Sequence, residues 1–149
     1  MGVVRQLLGL SLFVFSLAAC TTSGVGDPCM PEQIPDDGFN QQESYLETSS
    51  VQCRTRVCMV RGLQGDPELV FYAEGDPRNT CTLDEAGCQR AQEVEDHVYC
   101  TCRCRAPEGS NTPTCPCPGG FTCEDVLETG GVGIQGGYCV KNTTSADGG

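Results

Sequence analysis

Tyr99-Cys100-Thr101-Cys102-Arg103-Cys104 is the stretch that decides how this chain is read. Val98, Cys100, Cys102 and Cys104 fall at every second position. In a β-strand, residues i, i+2 and i+4 point to one face. The pattern predicts a strand with three sulfurs on one side and Tyr99, Thr101, Arg103 and Arg105 on the other. Cysteines two apart on a strand lie about 6.5–7 Å apart at Cα, at or past the reach of a disulfide. Each of the three is therefore expected to take a different partner elsewhere in the chain.

Working outward, Ser50 to Arg61 has the next clearest alternation and is read as a strand. Glu68 to Ala73 is a short apolar stretch between two Gly-Asp-Pro turns, which predicts a β-meander. Ser44–Thr48 and Tyr138-Cys139-Val140 are further short strands. Thr82-Leu83-Asp84-Glu85 matches a capping box and predicts one short helix from that point. Residues 105–114 are read as a Pro, Gly, Ser and Asn loop. The expected fold class is a small disulfide-rich, mainly β domain of short antiparallel strands with at most one short helix.

Residues 1–19 are read as a leader rather than as part of the fold. Leu7 to Ala19 is a mainly apolar run of 13 residues behind Arg5. That is too short to span a bilayer, which takes roughly 20 residues, and fits a signal-peptide core. The run ends in Leu17-Ala18-Ala19-Cys20, which resembles the lipobox of bacterial lipoproteins. The resemblance implies cleavage before Cys20, a diacylglycerol on its sulfur and an acylated amino terminus. Residues 20–28 would then be a lipidated tether, 29–141 the disulfide-rich domain and 142–149 a disordered polar tail. Thr21 rather than Asp follows Cys20, so the resemblance implies the outer membrane rather than inner-membrane retention.

The cysteine count agrees with that division. Setting Cys20 aside from the 13 cysteines leaves an even number: Cys29, Cys53, Cys58, Cys81, Cys88, Cys100, Cys102, Cys104, Cys115, Cys117, Cys123 and Cys139. An exported, cysteine-dense chain reads as a disulfide scaffold. The sequence leaves roughly ten thousand pairings open. Cys115-Pro116-Cys117-Pro118-Gly119-Gly120-Phe121-Thr122-Cys123 resembles the closing half of an EGF-like module. Only Thr122 separates its aromatic from the next cysteine, so it is read as a tight cysteine loop and not as an EGF domain.

Charge narrows the partners. The chain carries a formal net charge of −11, and loss of Arg5 with the leader takes it to −12. So acidic a surface repels nucleic-acid phosphates and anionic headgroups, which argues against nucleic-acid binding. Membrane contact is expected through the lipid, and any protein or glycan partner is expected to be cationic or neutral.

No catalytic residue or cofactor is indicated. His97 is the one histidine, and no Gly-x-Ser-x-Gly nucleophile motif is present. His97 is read as structural, Cys102-Arg103-Cys104 as framework rather than a redox pair, and Arg54 with Arg56 as a solvated strand face. The alternative function is metallothionein-like binding of zinc or Cu(I), because repeated Cys-x-Cys gathers thiolates. Export, the even count and the aromatic residues Phe39, Tyr45, Phe71, Tyr72, Tyr99, Phe121 and Tyr138 weigh against it.

Leu17-Ala-Ala-Cys20, Gly26-Asp-Pro-Cys29, Cys53-Arg-Thr-Arg-Val-Cys58, the Cys-x-Cys-x-Cys strand, the Cys115–Cys123 loop and Gly137-Tyr-Cys139-Val together resemble a group of exported cysteine-rich lipoproteins of myxobacteria and related bacteria. The resemblance implies a non-catalytic, membrane-anchored module with a structural or binding role at the cell envelope. It implies no metal site and no defined ligand.

Overall fold

In the computed structural model, residues 24–127, 131 and 133–142 are described. The leader 1–19, Cys20 and tail residues 143–149 lie outside the described residues. The chain forms a mainly β domain with the elements β1 (Ser44–Glu47), β2 (Val57–Arg61), β3 (Val70–Phe71), β4 (Gln89–Arg90), α1 (Ala91–His97), β5 (Val98–Thr101), β6 (Arg103–Arg105), β7 (Phe121–Leu127) and β8 (Gly136–Lys141).

The stretch that opens the sequence reading is not one strand. It is β5 and β6, broken at Cys102, and the two halves belong to different sheets. β5 closes an antiparallel sheet of order β1-β2-β5, and β6 opens a second sheet of order β6-β8-β7. At the break, Thr101 Oγ1 donates to the Cys139 carbonyl at 2.6 Å, and the Cys139 N–H donates to the Cys102 carbonyl at 3.1 Å. Cys100, Cys102 and Cys104 therefore do not line one face of one strand. They pair with three separate segments, through Cys53, Cys115 and Cys123.

Alternation along β2 and β5 builds two small cores, one on each side of the first sheet. Cys58, Val60, Val98 and Cys100 face Phe39, Leu63, Val70, Val94 and the buried Cys29 and Cys53. Met59 and Tyr99 face Val140, with Leu46, Phe121 and Val126 packed around them. Burial pushes the Tyr99 hydroxyl pKa up, and its oxygen accepts the Lys141 N–H at 2.9 Å. Six disulfides supplement these cores: Cys29–Cys58, Cys53–Cys100, Cys81–Cys88, Cys102–Cys115, Cys104–Cys123 and Cys117–Cys139.

Four local expectations are corrected. The strand expected over Ser50–Arg61 begins only at Val57. Arg56 takes a left-handed conformation (φ 64°), and its N–H closes a turn onto the Cys53 carbonyl at 2.9 Å. The helix does not start at Thr82. Glu85 does reach back to the Thr82 N–H at 2.7 Å, but the Cys81–Cys88 disulfide closes this segment into a loop. The helix forms at Ala91–His97, buries Val94 and runs directly into β5.

The meander is also replaced. β3 is two residues long and pairs in parallel with β4. Thr80 and Asn79 satisfy backbone groups that a neighbouring strand would have taken: the Val70 N–H donates to Thr80 Oγ1 and the Tyr72 N–H to Asn79 Oδ1. Finally, the folded body begins before Cys29. Gly26 and Asp27 bond to both backbone groups of Cys100 at 2.8 Å, so Gly26 to Pro28 are part of the fold rather than tether. Gly26 (φ +91°) lies so near Phe121 that a Cβ there would sit 2.9 Å from the ring.

A salt bridge fastens α1 to the second sheet. Lys141 Nζ lies 2.7 Å from Asp96 Oδ1 and holds that carboxyl below the usual carboxylate range. A depressed folded pKa contributes stability above the ordinary carboxylate value, and that stability is lost as pH falls through the folded pKa. Both partners are partly exposed, so Asp96→Asn is expected to cost at most about 1 kcal/mol near neutral pH. The difference from wild type should vanish on acidification below about pH 4, measured by urea unfolding across pH.

In the chain-entropy model the loop closed by a disulfide sets its contribution. Removing Cys81 and Cys88 together is expected to cost about 2.5 kcal/mol, and removing Cys53 and Cys100 about 4 kcal/mol before any cavity cost. Non-reducing urea unfolding of the two double alanine variants checks the order; a costlier Cys81–Cys88 deletion would contradict it.

Candidate functional site

Arg103 is the cationic side chain that the fold treats differently from the rest. Arg61, Arg78, Arg105 and Lys141 each lie within 2.8 Å of a carboxylate, on Glu124, Asp76, Asp125 and Asp96 respectively. The Asp76 carboxyl, hydrogen-bonded by Arg78, is lowered to about 2. Arg54 and Arg56 are exposed, as expected of solvated residues. Arg103 is only 9% exposed, and among the described residues no carboxylate pairs with it.

The local structure explains its position. Arg103 opens β6 opposite Tyr138 of β8. Its guanidinium carbon lies 5.7 Å from the centre of the Tyr138 ring. Nη2 donates to the Gly133 carbonyl and, at 3.3 Å, to the Tyr138 hydroxyl oxygen, which itself donates to the Ile134 carbonyl at 2.7 Å. Gly136 lets β8 come close to the end of β6: its φ is +128°, and a Cβ there would strike the Arg105 carbonyl oxygen. The segment before Cys115 folds over Arg103 because the Cys115 N–H donates to the Arg103 carbonyl at 2.9 Å and the Cys102–Cys115 disulfide holds it there.

Arg103 forms part of the wall of a cavity of about 330 Å³, together with Thr48, Thr55, Val57, Thr112, Pro113, Thr114, Tyr138 and the Cys102–Cys115 bridge. A guanidinium carries five N–H donors and no acceptor. Among the described residues, Nε and Nη1 of Arg103 and Oγ1 of Thr55 have no hydrogen-bond partner; these atoms are sealed from solvent and do not open onto the cavity. Nη2 has its acceptors, but each buried donor left unmet costs about 1–3 kcal/mol, and more on a charged group. The wall thus combines one arginine, several threonines and an aromatic ring.

The remaining candidates lie elsewhere. His97 sits at the end of α1, where its Nδ1–H donates to the Arg61 carbonyl at 2.7 Å; this ties the helix to β2. The sulfurs gather in three groups whose members lie within 4.8 Å: Cys29, Cys53 and Cys58; Cys102, Cys115 and Cys139; Cys104, Cys117 and Cys123. Every one of them is in a disulfide. A disulfide sulfur is not the thiolate that zinc or Cu(I) takes, so these groups become ligand sets only on reduction. Cys20 lies outside the described residues.

Sequence reasoning placed Arg103 on the face opposite the sulfurs but drew no site from it. The available signal was an arginine flanked by cysteines on both sides, a position forced into the interior by its neighbours. The other walls come from residues 48–57 and 112–115, which only the tertiary fold brings together. Comparison with protein-family models, with curated proteins and with solved structures found no match to the chain.

An unpaired buried charge makes a testable demand on stability. Replacing a buried ionic group by a hydrophobic residue of similar volume is often neutral or stabilising. Arg103→Met is expected to leave the unfolding free energy unchanged or to raise it by about 1 kcal/mol. Urea unfolding of the oxidised protein measures this; a loss above about 3 kcal/mol would mean that the bonds from Nη2 outweigh the burial cost.

Proposed function

We propose that this chain is a non-catalytic lipoprotein, anchored to the cell envelope through Cys20 and presenting a disulfide-stapled binding module. The observation that carries the reading is the pairing of the framework cysteines: all twelve from Cys29 to Cys139 are used in six bridges, which leaves Cys20 over. A framework of this density is stable in an oxidising, extracytoplasmic compartment. The lipobox-like Leu17-Ala18-Ala19-Cys20 then accounts for the remaining sulfur as the lipid acceptor. The chemistry displayed by the body also favours recognition over catalysis: its histidine is engaged with a backbone carbonyl, and the cavity beside Tyr138 is lined by an arginine and threonines.

Under this reading the module would stand near the membrane. Because Gly24 already closes a turn with Asp27, only residues 21–23 separate the fold from Cys20. Three residues span at most about 11 Å, which would keep the body close to the headgroups. With a net charge near −12 in the mature form, the body would stand off from anionic lipids within that reach. The outer membrane is the proposed site of attachment.

Metabolic labelling with a fatty-acid analogue is the test. The wild-type chain is expected to carry the label and to fractionate with membranes, and Cys20→Ser to lose both. Label retained in Cys20→Ser sinks the anchor. Intact mass with and without reduction, followed by alkylation, should count twelve cysteines released by reduction. Free thiols in the native protein would favour thiolate metal binding instead.

A further inference from the structure

We propose that the three bridges around the second sheet form one thiol–disulfide exchange site, which takes a small thiol at Cys115 and returns a protein thiol at Cys117 or at the Cys104–Cys123 bridge. Such a site is independent of the anchor at Cys20.

The three bridges lie in a row. Cys102 and Cys115 share a group of sulfurs with Cys139, all within 4.8 Å of one another, and Cys104 and Cys123 share a second such group with Cys117. Cys117 and Cys139 are bonded to each other, so the middle bridge puts one sulfur into each group. Cys102 Sγ lies 3.8 Å from Cys139 Sγ. The backbone holds these sulfurs together: the Cys139 N–H donates to the Cys102 carbonyl, and Cys139 stands opposite Cys123 in the β7–β8 register.

Exposure gives the row a direction. Cys102 is 7% and Cys139 0% exposed, whereas Cys104, Cys115, Cys117 and Cys123 are half-buried. A thiolate from solvent therefore reaches Cys115 more readily than Cys102. Its attack bonds it to Cys115 Sγ and breaks the Cys102–Cys115 bond, whose electron pair leaves on Cys102. Burial disfavours the thiolate form, so the charge does not rest there. The Cys102 thiolate faces Cys139 across 3.8 Å, bonds to it and releases Cys117. Cys117 lies within 4.8 Å of Cys104 and Cys123, bonds to one and releases the other. Each step forms one S–S bond and breaks one. One thiolate enters and one leaves, and no oxidant is required.

The other bridges lack one of the two conditions. Cys29, Cys53 and Cys58 also group within 4.8 Å, but with Cys100 they are at most 8% exposed, which denies a thiol its entry. Cys88 is half-buried, but among the described residues the Cys81–Cys88 bridge belongs to no group. A thiolate released at Cys81 can only return to its own bridge.

Acid quenching, alkylation of the unfolded chain with a maleimide and disulfide mapping test the proposal, in a Cys20→Ser chain so that only framework sulfurs are counted. Cys115→Ser leaves Cys102 without its partner. The alkyl label is expected on Cys117, Cys104 or Cys123, with a new Cys102–Cys139 link and loss of the Cys117–Cys139 link. In Cys88→Ser the label is expected to stay on Cys81. A label that stays on Cys102 shows no exchange and overturns the site. A label that leaves Cys81 as readily as Cys102 shows general scrambling and overturns it too. Should Cys115→Ser fail to fold, the oxidised Cys20→Ser chain is treated with equimolar mercaptoethanol, quenched and mapped. The adduct is expected on Cys115, with the alkyl label on Cys117, Cys104 or Cys123. An adduct on Cys115 with the label on Cys102, or no adduct on Cys115, overturns the site. Fatty-acid labelling of the wild-type chain is read separately, so the anchor and the exchange site stand or fall independently.

Discussion

The hydrogen bond from Thr101 Oγ1 to the Cys139 carbonyl is the contact on which the two sheets depend. Thr101 is fully buried, and it sits where the chain leaves the first sheet for the second. The reciprocal bond from Cys139 to the Cys102 carbonyl fixes the same point from the other side. A buried carbonyl or hydroxyl left unpaired costs about 1–3 kcal/mol, so neither group can be given up cheaply. The crossing also explains the disulfides around it. Cys100 faces back into the first core toward Cys53, while Cys102 and Cys104 serve the second sheet through Cys115 and Cys123.

Neither core is large. One side of the first sheet is closed by Phe39, Leu63 and Val94 over cysteine sulfurs, and the other by Met59, Tyr99 and Val140. Small domains bury a low fraction of their unfolded surface and commonly need covalent staples. Here the staples are also packing material, because Cys29, Cys53, Cys58 and Cys100 are core side chains as well as cross-links. The same economy shapes the ends of elements. α1 has seven residues and no side-chain cap, too short to persist alone, and is held by Val94, the Lys141–Asp96 bridge and the His97 bond to β2.

The charge of the whole surface and the charge of one buried arginine act over different distances. The net charge of −11 is a property of the whole surface and governs encounter and solubility. Arg103 is almost wholly buried, where a charge is screened less than at the surface.

What the sequence by itself determined is the class of the molecule and its covalent logic. Period-two alternation at Cys100, Cys102 and Cys104 made a β-structured, disulfide-rich domain legible, because side-chain direction on a strand follows from local geometry alone. Short strands near Ser44 and Tyr138 were legible for the same reason. β7 (Phe121–Leu127) was missed, since none of its residues is buried and its exposed positions, Thr122 and Asp125, fall three apart rather than in alternation. The pairing of sulfurs, the break at Cys102, the parallel β3–β4 pair and the helix at Ala91 rather than Thr82 were decided only by the tertiary structure. The break depends on Cys139 and β3 on Gln89, both distant in sequence, while the helix is displaced by the short Cys81–Cys88 bridge, whose pairing the sequence left open. The candidate site is the clearest case. Arg103 reads locally as one more strand residue, and only packing against Tyr138, residues 48–57 and the disulfide-held 112–115 segment turns it into a buried cation with donors to spare.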